Sequence, residues 1–224
     1  MHFFKSNILF YSLTLLFIAA LAVLLCVFDK GGLHLWLNTY HTLWLDYTMR
    51  YFTLIADYGV YVVALGLMFY KAGSAVTVAA CNFLSSLFTQ IIKHAVGALR
   101  PATWFAENMP DVQLQFIDGV HIHFYNSFPS GHTTAFFALA IALCYVVSTS
   151  RLGTNKKRAW QCILFLVAAI GGYSRIYLSQ HFAADVLAGC LVGTIVSSAV
   201  IFLIETYRID EYEWWSWHIS TATH

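Results

Sequence analysis

The sequence predicts an all-α fold, a polytopic bundle of six membrane-spanning helices forming one membrane domain over residues 1–224. Three observations predict it. The chain is 59% hydrophobic and only 10% charged, whereas soluble domains carry about 25% charged residues. Its apolar residues fall into runs of bilayer-crossing length, bounded by charged or turn-forming residues. Polar side chains beside these runs gather in three places, near residues 93–101, 129–132 and 172–185.

Ile8 to Phe28 lacks charge and would reach about 31 Å as a helix, enough to cross the hydrocarbon core. It is too long for a signal-peptide core, and no small-x-small cleavage site follows it. Bulky Leu25 before Cys26 argues against lipoprotein processing, so this first span is expected to stay uncleaved. Residues 29–50 mix Trp36, Tyr40, Trp44 and Tyr47 with polar residues. They fit either a helix lying at the headgroup level or an extramembrane loop. Tyr51–Tyr70 is the expected second span, with Asp57 near enough to one end to reach the interface in a structural role.

Lys71 marks a turn into the third span, Ala72–Ile92, whose Gly73, Ser74, Ser85, Ser86 and Thr89 suit close helix packing. Residues 94–131 are the longest polar connection, broken by Pro101, Pro110 and Gly119. Thr133–Ser150, Ala159–Ser174 and Val186–Ile204 complete the six. Gly189 and Gly193 form a small-xxx-small pair that lets a neighbouring helix approach. The tail over 206–224, with Trp214, Trp215 and Trp217 among acidic residues, reads as cytoplasmic and interfacial.

Arg151, Lys156, Lys157 and Arg158 crowd one short loop, which places that loop in the cytoplasm. Counting outward, both termini also fall inside. Lys93, Arg100, Ser130, His132, Arg175 and His181 then all fall on the extracytoplasmic side, periplasmic for an inner-membrane protein. The net charge of +1 gives no basis for a nucleic-acid partner. The five cysteines (Cys26, Cys81, Cys144, Cys162 and Cys190) are dispersed through apolar runs and read as core side chains. His121 and His123 are two potential ligands, too few for a zinc site. His94 adjoins Lys93 without clear purpose, and His2, His34, His41, His218 and His224 read as surface residues.

Each polar cluster suits an anion. Lys93 and Arg100 are seven residues apart, about two helical turns. They could snorkel separately to the interface or clamp one phosphate, with arginine adding a bidentate fork. Ser130 can cap the following helix, and Gly131 lets its backbone approach a ligand closely. The exposed N–H groups and helix dipole there form an anion site, with His132 beside it as a proton donor. On a helix, His181 and Asp185 would share a face, so the carboxylate could fix the imidazole tautomer. Arg175 lies six residues earlier, so a chain turn must bring it to the same pocket.

Lys-x6-Arg-Pro at 93–101, Pro-Ser-Gly-His at 129–132 and Ser-Arg-x5-His-x3-Asp at 174–185 together resemble the type 2 phosphatidic acid phosphatase family. Its superfamily also includes the vanadium-dependent haloperoxidases. The resemblance implies that His181 is a nucleophile forming a phosphohistidine and that Asp185 orients it. It implies that His132 is the general acid for the leaving group. Lys93, Arg100, Arg175, Ser130 and the Gly131 N–H would hold the phosphoryl oxygens, with no metal or other cofactor.

The substrate implied is a lipid phosphate whose chain stays in the bilayer. Undecaprenyl diphosphate is favoured over phosphatidylglycerophosphate, phosphatidate and lipid A phosphate, and the 102–128 loop is expected to influence headgroup choice. The alternatives are a lipid phosphotransferase, a vanadate-dependent haloperoxidase and a non-catalytic lipid-binding protein.

Overall fold

Each stretch expected to cross the membrane forms a helix, because an apolar run in lipid can satisfy its backbone only within itself. The computed structural model describes residues 2–219; His224 and the side chain of His2 lie outside the described residues. The helices are α1 (His2–Ser6), α2 (Ile8–Val27), α3 (Lys30–Leu37), α4 (Leu43–Phe52), α5 (Val60–Met68) and α6 (Ala72–Val96). After these come α7 (Pro101–Asn108), α8 (Gly131–Thr149), α9 (Thr154–Tyr177), α10 (Ala183–Thr206) and α11 (Glu213–Ser216). A π-helical turn, Ile55–Gly59, separates α4 from α5, and a 3₁₀ turn, Ile209–Glu211, precedes α11. Six stretches among the described residues are long and apolar enough to span, the second running from Leu43 to Met68.

Three expectations are corrected. Residues 29–50 are neither one interfacial helix nor a loop, since their second half opens the second span. Asp29 starts α3 by accepting the Gly32 N–H at 2.8 Å. His34 is buried rather than at the surface. Its Nε2 lies 3.3 Å from Ser179 Oγ, and its ring lies 5.2 Å from that of Phe182. His41 is also covered, between Asp46 and the Tyr177 ring at 4.4 Å. In the tail, Trp215 is buried against α6, where a Cβ on Gly73 would meet its ring at 2.1 Å.

α8 is the central helix: 67% of its apolar stretch is buried, against 17% for α2 and 6% for the second span. It packs on α6, α9 and α10 through fully covered Phe136, Phe137 and Ile141. The peripheral helices turn Leu15, Leu16, Val23, Val62 and Leu65 outward, a surface matched to lipid tails. Packing, not water exclusion, must then hold such helices together. Gly189 and Gly193 make the expected close approach, and their partner is α8. A Cβ on either would stand 2.5 Å from the carbonyl oxygen of Ser130 or Thr134. The contact continues at the helix starts, where the Ser130 N–H donates to the Asp185 carbonyl at 2.9 Å.

Gly193→Val should therefore force α10 off α8. The expected cost is about 3 kcal/mol, the upper end for overpacking, read as a lower melting temperature in detergent. Gly66→Ala, with nothing within 4 Å of the new methyl, should melt like the parent.

Candidate active site

The three polar clusters meet in one cavity of about 280 Å³ at the N-terminal end of α8. α6 ends at Gly97, whose φ of 61° gives the left-handed cap that glycine adopts without strain. The chain then reverses, and Arg100 caps α7 outside the helix. Lys93 and Arg100 therefore do not share one helix, as the two-turn spacing allowed, yet both line the cavity. The Arg100 guanidinium is steadied by Nε donating to Tyr125 O at 2.9 Å. Its Nη1 also donates to Gln180 Oε1 at 3.2 Å.

The Ser130 hydroxyl is committed to the start of α8, accepting from Thr133 Oγ1 at 2.9 Å and Thr133 N–H at 3.4 Å. Ser130 is fully buried, while Gly131 and His132 line the cavity. A Cβ on Gly131 would lie 3.8 Å from Lys93 Nζ, so cation and helix start flank the same space. The charge and the helix dipole there reinforce each other.

Arg175 and His181 are joined by the expected turn. α9 stops at Tyr177, and the Gln180 and His181 N–H groups fold back onto Arg175 O at 2.9 and 3.1 Å. Asn38 of the α3–α4 segment holds this turn by donating to Ser179 Oγ at 2.7 Å and Ile176 O at 3.0 Å. Arg175 is buried and lines the cavity. Its Nη1 donates to Thr53 Oγ1 at 2.6 Å, while its Nε has no partner among the described residues.

His181 lies just before α10 rather than on it, which corrects the shared-face argument. The partnership with Asp185 survives because Asp185 sits in the first turn and reaches back. Its Oδ2 accepts the Phe182 N–H at 2.8 Å and the Ser127 hydroxyl at 2.6 Å. The same oxygen is 3.5 Å from His181 Nδ1. With Nδ1 so occupied, Nε2 is the nitrogen available to a ligand. Burial lowers the His181 pKa to about 3, although Asp185 pulls the other way. The ring is thus neutral, the form that can attack.

Asp57 departs most from its expected role. Beyond the structural role expected of it, it lines the cavity and places Oδ1 3.1 Å from His132 Nε2. His123 also lines the cavity, so the 102–128 loop contributes to its wall. No group of three or more metal-ligating side chains occurs among the described residues. Ser127, Gln180 and Thr53 were not identifiable from sequence, since single hydroxyls and amides carry no motif. Asp57 was visible as a carboxylate inside a span, a placement that costs energy without a function. Among the described residues, no carboxylate forms an ion pair with Lys93, Arg100 or Arg175.

The cavity thus gathers three cations around a neutral imidazole at one end of a bundle of bilayer-length helices. The sequence profile of the PAP2 superfamily matches residues 74–209, and the chain belongs to that family. The lipid A 4′-phosphatase of Porphyromonas gingivalis is 34% identical over 116 residues, 50% of this chain and 44% of that protein. The undecaprenyl-diphosphatase BcrC of Bacillus subtilis is 34% identical over 70 residues, 31% of each chain. The chain thus spans less than half the length of either relative. The fold is shared with the crystal structure of a transmembrane PAP2-type phosphatidylglycerolphosphate phosphatase from Bacillus subtilis. The TM-score is 0.63 at 20% identity, over 93% of this chain and 98% of that one.

Buried neutral histidines make stability depend on pH. Burial lowers the His34 pKa to about 4, and His181 lies near 3, whereas unfolded histidine titrates near ~6.5. The unfolded chain therefore binds protons first as pH falls, at up to about 1.4 kcal/mol per pH unit for each ring. Melting temperature in detergent should be highest above about pH 6.5 and fall toward pH 4. His34→Gln should flatten part of that slope, and an unchanged slope would mean that His34 is not buried neutral.

Proposed function

We propose that the chain is a membrane-embedded lipid phosphatase that works through a phosphohistidine on His181. The observation that carries this is the convergence of Lys93, Arg100 and Arg175 on one cavity with the free nitrogen of a neutral His181. Burying cations without a direct ion pair is costly, and a phosphoryl group offsets it by placing anionic oxygens among them. In a loose phosphoryl transition state, charge positioned in this way is the main catalytic lever.

In the first step His181 Nε2 bonds to phosphorus as the bond to the bridging oxygen breaks. The proton on His132 passes to the departing oxygen, releasing a lipid alcohol or a lipid phosphate. In the second step His132 takes a proton from water, the resulting hydroxide attacks phosphorus and the P–N bond breaks. Inorganic phosphate leaves and His181 is neutral again. Asp185 supports the positive charge His181 carries in between, as a carboxylate supports an imidazolium elsewhere.

A lipid substrate is supported by a second, mostly apolar cavity of about 360 Å³, lined by Val60, Tyr61, Ala64, Ala79 and Phe83. It shares Ala56, Asp57, Ser86 and Ala135 with the cationic cavity. A phosphate in one leaves its chain in the other. Lipid A phosphate and undecaprenyl diphosphate are the substrate classes named for the two relatives. Arg151 of the α8–α9 connection and Lys156, Lys157 and Arg158 at the start of α9 lie at the end of these helices opposite the cavity, which favours an extracytoplasmic site and a cytoplasmic basic end.

Radiolabelled lipid phosphate, quenched during turnover, should leave protein-bound phosphate that is stable in alkali and lost in acid. His181→Ala should carry no label and release no phosphate; undiminished release would remove it from the role of nucleophile. Arg175→Ala should lower kcat/KM by about 10²–10³-fold, the scale seen when one transition-state donor is lost. Chelator should leave the parent rate unchanged.

A further inference from the structure

We propose that Asp57 is a positioning residue for His132, holding the proton-donating imidazole at the point where the leaving oxygen departs. The direct observation is the 3.1 Å approach of Asp57 Oδ1 to His132 Nε2. Two features of the backbone and the cavities give that approach a purpose.

Asp57 lies in the π-helical turn Ile55–Gly59, inside the second span. Such turns insert a residue into a helix and are frequent at functional sites, because they re-aim side chains. Here the turn carries the carboxylate to His132 at the start of α8 rather than leaving it toward lipid. A carboxylate in a span is expensive unless it is used, and among the described residues its close charged partner is this ring.

Asp57 also belongs to the wall common to both cavities, with Ala56, Ser86 and Ala135. A lipid phosphate with its phosphoryl group among the cations and its chain in the apolar cavity has its bridging oxygen at that wall. His132 lines the cationic cavity there. The side chain that must give up a proton and the atom that must take it are thus brought together. Lys93 and Arg175 face the same cavity, and a ring among these cations needs a negative charge beside it to hold a proton. Asp57 supplies that charge and fixes the ring angle. As the bridging P–O bond breaks, the His132 Nε2 proton moves from its contact with Asp57 to the departing oxygen. When water later attacks phosphorus, the proton it loses returns to Nε2 and the contact with Asp57 re-forms.

The proposal rests on the phosphohistidine reading, and the test separates the two. Two probes with the same tail serve, hexadecyl phosphate and a hexadecyl-substituted nitrophenyl phosphate. The alkoxide leaving group needs a proton, whereas nitrophenolate leaves without one. Asp57→Asn should lower kcat on hexadecyl phosphate by on the order of 10²-fold, the scale of general acid catalysis. Its single-turnover burst of nitrophenolate should stay within a few-fold of the parent. In a His132→Gln background, Asp57→Asn should cost nothing further, as for residues acting as one unit.

Equal losses on the two probes in correctly folded protein, loss on neither, or an independent loss in the His132→Gln background would each overturn the proposal. If Asp57→Asn does not fold, Asp57→Ser takes its place with the same pair of probes, and the same outcomes decide. Failure of the phosphohistidine reading shows differently, as a nitrophenolate burst that survives in His181→Ala.

Discussion

The architecture of the site depends on one carboxylate. Asp185 closes the start of α10 through the Phe182 N–H, takes the Ser127 hydroxyl from the long connection and stands beside His181 Nδ1. Its own carbonyl accepts the Ser130 N–H from the start of α8. Two helix starts, one loop and the His181 imidazole are thereby fixed relative to each other. The glycines of α10 make this possible, because any larger residue would hold the two helix backbones apart. Helix packing and active-site geometry are one arrangement seen at two scales.

The second constraint is electrostatic. Lys93, Arg100 and Arg175 arrive from three separate segments, and the two guanidiniums are held by hydroxyl, carbonyl and amide oxygens. Neutral partners orient a guanidinium without forming an ion pair that would cancel its charge. The same economy appears at His181. Its burial keeps the ring uncharged, with the Asp185 carboxylate 3.5 Å from Nδ1.

Much of this was legible in the sequence. The six apolar runs fixed the class of fold, since an apolar stretch in lipid has few structural options. The motifs singled out His132, His181, Asp185 and the cations as candidates because their spacing is tied to helix ends, which the sequence marks with proline, serine and glycine. Other features depend on long-range packing and had no local signal. Residues 29–50 look interfacial because their aromatic residues are genuinely exposed along one side, while Leu33 and His34 on the other support the His181 turn. The π-helical turn is invisible to periodicity analysis, so Asp57 could not be aimed. Ser127 lies two residues outside a motif and acquires its role only when the connection folds over α10.

The wall shared by the two cavities has a bearing on selectivity. On the proposed reading, the apolar side is bordered by Tyr61 and Phe83, both largely exposed on the lipid-facing surface. A hydrocarbon passing between them leaves the cavity at the exposed face of the bundle. That leaves the polar moiety, beside His123 of the 109–130 loop, as the part the chain can discriminate. Close homologues that accept different acyl or prenyl chains while differing in that loop are what such a design would produce.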